Sequence, residues 1–294
     1  MTANACRVLI FVTLPCIAAG QVKAASPYYV HEDYTVPDEE RTPGVELLEE
    51  AIKSYGANST VGIVMFAHAN DNPWSMYSIP VWRGYARRHG YDFFLWQEPL
   101  LDGGCRTEWS EPLLLRLLYA RIEKWQTIML VRSNSVPVGF GKTVKWLVKK
   151  YISKERWNGD PAKERGIWCP LDCKTRETKD SDCKSIFLTG CIFLRKPLIA
   201  GRLWKWWDYR KVERDERDCS TPEALADGLV QARQNYFPQF LFSNAYADIH
   251  VDAAKYIAMF FNTGRELQNL MGELAQKHLD FRSALHDAEK RGEL

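Results

Sequence analysis

The sequence lacks the features that would tie it to a charged polymer, a bilayer interior or a serine-hydrolase elbow. Its 39 basic residues are balanced by 37 acidic ones across 294 residues, a formal net charge of +2. That leaves no electrostatic footprint for tracking phosphates, so nucleic acid is not expected as a partner. No Gly-x-Ser-x-Gly segment occurs, which disfavours a secreted α/β hydrolase. No repeat is present, which argues against a solenoid. With 46% hydrophobic and 26% charged residues, a disordered chain and a collagen-like fibre are excluded as well. The longest uncharged, largely apolar run at the start, Val8 to Ala19, is short of the roughly 20 residues that cross a bilayer, and no later stretch is long and apolar enough. Histidine is scarce, and none lies between Cys169 and Cys191.

What is present begins with an address. Arg7, the Val8 to Ala19 run and the small residues Ala18-Ala19-Gly20 have the layout of a secretory signal peptide over residues 1–20, with an uncleaved anchor as the alternative. Eight cysteines occur, of which Cys6 and Cys16 belong to that segment. Cys105, Cys169, Cys173, Cys183, Cys191 and Cys219 remain, an even number that reads first as disulfides in a secretory chain. The alternative, a zinc site around Cys169-x3-Cys173, is disfavoured by the missing histidine and the oxidising compartment. Asn58-Ser59-Thr60 is a glycosylation sequon and agrees with a lumenal location. The last four residues, Arg291-Gly292-Glu293-Leu294, are similar to a retrieval tetrapeptide with glycine in its second place; a frayed helix end is the other reading. The expected location is the secretory-pathway lumen (Golgi or endoplasmic reticulum) or outside the cell.

The mature chain divides by pattern into a polar stem over 21–60, an α/β domain over 61–264 and a C-terminal amphipathic helix over 265–294. Apolar runs at 61–67, 92–96 and 127–131 read as strands. Helical patterns follow them at 76–89, 111–124 and 142–151, with Gly90 as a stop and Ser110 as a cap. A short helix near 45–55, strands at 185–195 and 256–261, and helices at 197–207 and 222–234 complete the reading. Strand and helix in alternation predict a mainly parallel sheet with crossover helices and a ligand at the carboxyl ends of its strands. That puts His68 and Arg132-Ser133-Asn134 on the predicted rim. Gly139-Phe140-Gly141-Lys142-Thr143 has the look of a phosphate loop, but Val136 stands where its first glycine belongs. At most a helix N-terminus is left there for an anion. Trp204, Trp206, Trp207 and Tyr209 have the chemistry to stack on a sugar, although their spacing favours core packing.

Three segments resemble a family of Golgi nucleotide-sugar transferases that includes galactosyl-, mannosyl- and xylosyltransferases. Tyr85-Ala86-Arg87-Arg88-His89-Gly90-Tyr91-Asp92 is similar to its YAxxHGYD segment. Trp109-Ser110-Glu111-Pro112 through Leu130 is similar to its next helix and strand, and Thr189 to Arg195 to its GxxLxR segment. The resemblance implies a GT-A fold, a nucleotide-diphosphate sugar as donor and a glycan as acceptor. It also implies Mn²⁺ held by Asp-x-Asp after the third strand and by a histidine near the domain's end. Here those positions are Arg132-Ser133-Asn134 and the Phe260-Phe261-Asn262-Thr263-Gly264 stretch, so the carboxylates and the histidine that a hard cation requires are missing. By the same resemblance Gln239 and Asp248 fall where acceptor-side and catalytic groups are expected, and His68 near the nucleotide base. Two outcomes follow: a metal-independent enzyme in which Arg132 pairs with diphosphate, or an inactive binding or scaffold subunit, for instance beside a partner transferase.

Overall fold

The computed structural model describes residues 36, 41–67, 74–101, 109–149, 166–172, 185–186, 189–195, 199–200, 203, 206–207, 240–243, 257–259, 265–277 and 279–293. Its spine is a seven-stranded sheet. The apolar runs form β1 (Val61–Phe66), β2 (Asp92–Trp96) and β3 (Thr127–Arg132), with β2 and β3 parallel to β1 on either side. β4 (Ser135–Pro137) leaves this sheet and pairs with β9 (Ile257–Met259) in a separate ribbon. β5 (Ile167–Asp172), β6 (Ser185–Ile186), β7 (Cys191–Leu194) and β8 (Phe240–Ser243) complete the main sheet in the order β2-β1-β3-β7-β5-β6, with β8 also on β5. β7 runs antiparallel to β3 and to β5, while β8 is parallel to β5. The sheet is therefore mixed, mainly parallel, and flanked by helices, as the α/β reading expects.

Strand alternation explains the three layers, because successive side chains point to opposite faces. Val64 and Phe66 enter a core with α1 (Pro43–Ser54) and α3 (Ser110–Arg121). Ile63 and Met65 enter another with α2 (Trp74–His89) and the C-terminal helices α5 (Arg265–Lys277) and α6 (Leu279–Lys290). The helix expected near 45–55 is thus α1, and its Val45, Leu48 and Ile52 are buried. The tail, expected as one amphipathic helix, forms two that pack on each other, with Leu274 and Phe281 fully buried.

Several local expectations change. Ser110 is inside α3 and not its cap; Trp109 holds that position, and the Ser110 hydroxyl accepts from the Leu100 amide at 3.1 Å. The helix expected over 142–151 starts at α4 (Val144–Leu147), capped by Thr143, whose hydroxyl accepts from the Trp146 amide at 2.9 Å; the helical backbone widens at 148–149, and 150–151 lie outside the described residues. Phe140, in the turn ahead of α4, is buried, so that side chain serves packing. β6 and β7 lie within the expected 185–195 strand and β9 within 256–261, where 187–188, 256 and 260–261 are outside the described residues. Trp206 and Trp207 are fully buried, with Trp206 stacked on Phe193 at 6.3 Å, so these two serve packing and not a sugar platform. Trp204, Tyr209 and the 222–234 helix lie outside the described residues.

Two of the resemblance-bearing segments build the frame. In the first, the Tyr85 hydroxyl donates to the Lys142 carbonyl at 2.6 Å and His89 Nε2 meets the Phe140 carbonyl at 2.7 Å. Gly90, at φ +65°, closes α2: its amide and that of Tyr91 donate to Arg87 and Ala86 carbonyls, the double bond of a Schellman end. The Asp92 carboxylate accepts from the Asn58 and Ser59 amides and from the Trp125 indole at 2.7 Å. In the later segment, the Arg195 guanidinium donates to the Trp125 and Ile122 carbonyls, both at 2.6 Å, and lies over the Tyr119 ring.

Candidate functional site

The rim forms where β3 leaves the sheet. Because β1, β2, β3, β5 and β8 point the same way, their carboxyl ends share one edge, with Phe66, Trp96 and Arg132 in one register row. Ser133 and Asn134 make the turn into β4. Three hydroxyl contacts set the turn's shape. The Arg132 amide donates to Thr189 Oγ1 at 3.0 Å, the Ser135 hydroxyl donates to the Arg132 carbonyl at 2.7 Å, and the two hydroxyl oxygens lie 2.8 Å apart. The Trp82 indole donates to the Ser135 carbonyl at 2.9 Å, tying the turn to α2. Gly190, at φ +79°, brings Thr189 over this turn while its amide donates to the Leu130 carbonyl.

The Arg132 side chain goes to the α3 face. Its Nη2 donates to Glu111 Oε2 at 2.9 Å, with the carboxylate side chain 2% exposed and the guanidinium side chain 21%. Glu111 lies in the first turn of α3, where the helix dipole favours a negative charge. A buried ion is tolerated only when paired, and the pair carries no net charge. Arg132 Nε is buried without a hydrogen-bond partner. Glu111 was not singled out by the sequence reading. The sequence alone carries no signal for it, because residues 110–119 become buried only once α3 packs over the end of β3.

This donor set does not fit a divalent metal. The turn offers a guanidinium, a hydroxyl and an amide, and the nearby carboxylate is engaged by the guanidinium. Among the described residues no group of three or more His, Cys, Asp or Glu is placed to hold a metal ion.

Of the residues singled out for a site, the structure joins Arg132, Ser133 and Asn134 at the rim. Asn58 lies elsewhere, exposed in the turn before β1, with its amide held by Asp92. Cys169 and Cys191 form a disulfide across β5 and β7, with Cα atoms 4.3 Å apart, one step beyond the register pair of Trp168 and Ile192. His68, Gln239, Asp248, Cys105, Cys173, Cys183 and Cys219 lie outside the described residues, as do the signal segment and the 260–264 stretch. No described helix is long and apolar enough to cross a membrane.

The likeness to known proteins is structural. No protein-family model matches the chain, and no curated protein does. A glycosyltransferase involved in the glycosylation of the major capsid of PBCV-1 shares its fold. That match has a TM-score of 0.52 at 10% identity, over 71% of this chain and 98% of that one. The chain thus has a glycosyltransferase-like fold. The protein A197 from STIV aligns over 68% of this chain and 86% of its own at 9% identity, with a TM-score of 0.34, too low to support a statement about fold.

Proposed function

We propose that this chain is a glycosyltransferase-type protein. It moves a hexose or pentose from a nucleotide-diphosphate sugar to a glycan in the secretory-pathway lumen, without a divalent metal. The observation that carries this reading is the shared glycosyltransferase-like fold with a guanidinium, Arg132, at the carboxyl end of β3. In the reaction the acceptor hydroxyl oxygen bonds to the anomeric carbon as the bond from that carbon to the diphosphate oxygen breaks. The bonding pair leaves on the diphosphate, and the hydroxyl proton passes to a base. We assign the base to Asp248, acceptor positioning to Gln239, the nucleotide base contact to His68 and the diphosphate to Arg132, Ser133 and Asn134. A guanidinium makes bidentate contacts to phosphate oxygens and stays charged, so it stabilises the leaving group without a metal.

The second reading, a non-catalytic binding or scaffold subunit, is favoured by one observation: Glu111 already holds Arg132. Thermal shift with UDP- and GDP-sugars, in Mn²⁺ and in EDTA, separates the two. Stabilisation that is equal in EDTA and lost in Arg132→Lys supports the metal-free donor site, because lysine keeps the charge and loses the fork. Transfer to a glycan mixture by the same samples then establishes catalysis. Binding without transfer favours the subunit. No response to any nucleotide sugar removes the donor site altogether.

A further inference from the structure

A groove of about 260 Å³ runs between α2 and α6, away from the β3 turn. Its floor is Gly84, Phe140 and Ala284, and a Cβ added at Gly84 would meet no atom within 4 Å, so the floor is open there. Its rim carries both signs: Arg87, Arg88 and Arg291 against Asp280 and Asp287, with Ser283 between. One end is closed by the Arg88–Asp280 pair at 3.1 Å.

Two of the lining arginines, Arg87 and Arg291, already hold a carboxylate, that of Glu293, from outside the groove's lining. Gly292, at φ +67°, and the bonds from the Gly292 and Glu293 amides to Glu289 and Ala288 carbonyls form a second Schellman end. This turn carries Glu293 back over α2. One oxygen of Glu293 lies 3.5 Å from Arg87 and the other 3.0 Å from Arg291. Arg291, and more weakly Arg87 and Arg83, hold that carboxyl below its ordinary range. Two guanidiniums facing the two oxygens of one carboxylate is the arrangement by which proteins recognise a ligand carboxylate or sulfate. The Asp and Ser groups beside it are acceptors suited to hydroxyls. The volume falls just below the range typical of drug-sized ligands, so it suits one ring.

We propose that the α2–α6 groove binds a single acidic sugar unit, its anionic group displacing Glu293 from Arg87 and Arg291 and its hydroxyls meeting Asp287 and Ser283. The apolar floor takes the ring face, and Glu293 is the internal competitor that keeps the arginines in place when the groove is empty. The site is independent of the donor reading at Arg132.

Calorimetric titration of the full chain with glucuronate, glucose and inorganic sulfate tests this. Glucuronate is expected to saturate and to bind about tenfold tighter than either glucose or sulfate, the scale of one charge-assisted contact. Glu293→Gln tightens it, while Arg87→Gln and Gly84→Leu abolish it. Gly84→Leu fills the floor at a position where helix propensity favours the change, so its melting temperature should not fall. Equal binding of glucose or sulfate overturns the proposal. So does glucuronate binding that survives both Gly84→Leu and Arg87→Gln, or no saturation in wild type and Glu293→Gln alike.

Discussion

At the scale of single residues, the Arg132–Glu111 contact decides how the rim behaves. Removing one partner of a buried pair takes that countercharge from the other, at a cost of up to about 3–5 kcal/mol; replacing both with apolar groups of similar volume is often neutral. Arg132→Ala and Glu111→Ala should therefore each be severely destabilising, and Arg132→Met with Glu111→Leu should recover most of the loss. Urea denaturation of the three variants measures it, and strictly additive losses would show that the pair is not coupled. Gly62 is a second decisive residue. An added Cβ would lie 2.5 Å from the Trp125 ring, which is itself fully buried. Gly62→Ala should cost about 1–3 kcal/mol, the usual size of overpacking in a filled core. A melting temperature equal to wild type would mean that the Trp125 ring is free to yield.

At the scale of elements, much was legible where local chemistry was decisive. α2, β2 and the Gly90 stop fall within two residues of their expected places, because an apolar period of 3.6, a left-handed glycine and a short aromatic strand are strong local signals. The antiparallel placement of β7 between β3 and β5 was not legible, since it depends on pairing across distant sequence. Nor were β4 and β8, short strands without a distinctive period, or the longer β5, which Pro170 interrupts. Within the rim, Arg132 was legible and Glu111 was not, because the carboxylate acquires its meaning only when α3 lies over the end of β3. The YAxxHGYD-like segment shows the converse: its side chains knit α2, the Phe140 turn and the sequon turn into one frame, so likeness there reports architecture. Asp92 is the anchor of that frame. Asp92→Ala should cost about 2 kcal/mol, since bonds to a charged acceptor are worth more than neutral ones, and Asp92→Asn should cost less by retaining an acceptor. Hydrogen exchange at Asn58 and Ser59 checks it; unchanged protection would refute the anchor.

The end of α6 carries a pH signature at this same scale. Glu293 is held below its ordinary value by Arg291 first, then Arg87 and Arg83. A carboxyl depressed in the folded state binds fewer protons there than when unfolded. Its contribution is therefore present above the unfolded pKa and is lost as pH falls through the folded one. The pair is near the surface, so the contribution is a few tenths of a kcal/mol to about 1 kcal/mol. Wild type should be more stable than Glu293→Gln at neutral pH, with the difference vanishing below the carboxylate range. A difference that persists in acid would assign the effect to packing.

At the scale of the whole molecule, a sheet with helices on both faces sets what the disulfide does. Cys169 and Cys191 are both fully buried, on two inner strands of the sheet. Their bridge closes a loop with a sequence separation of 22, for which chain entropy in the unfolded state gives stabilisation of about 3 kcal/mol. A thiolate can attack only where it can reach, so a bond inside a three-layer core is cleaved when the core opens and not before. Native protein in excess dithiothreitol should keep the bridge for as long as global unfolding takes, and urea below the midpoint should accelerate reduction in step with unfolding. Cys169→Ala with Cys191→Ala should lower the urea midpoint by an amount corresponding to that stabilisation, less what two small side chains recover in packing. Thiol trapping followed by intact-mass measurement reads both. Rapid reduction of the folded chain would mean that β5 and β7 open locally, and the sheet would then be two cooperative units and not one.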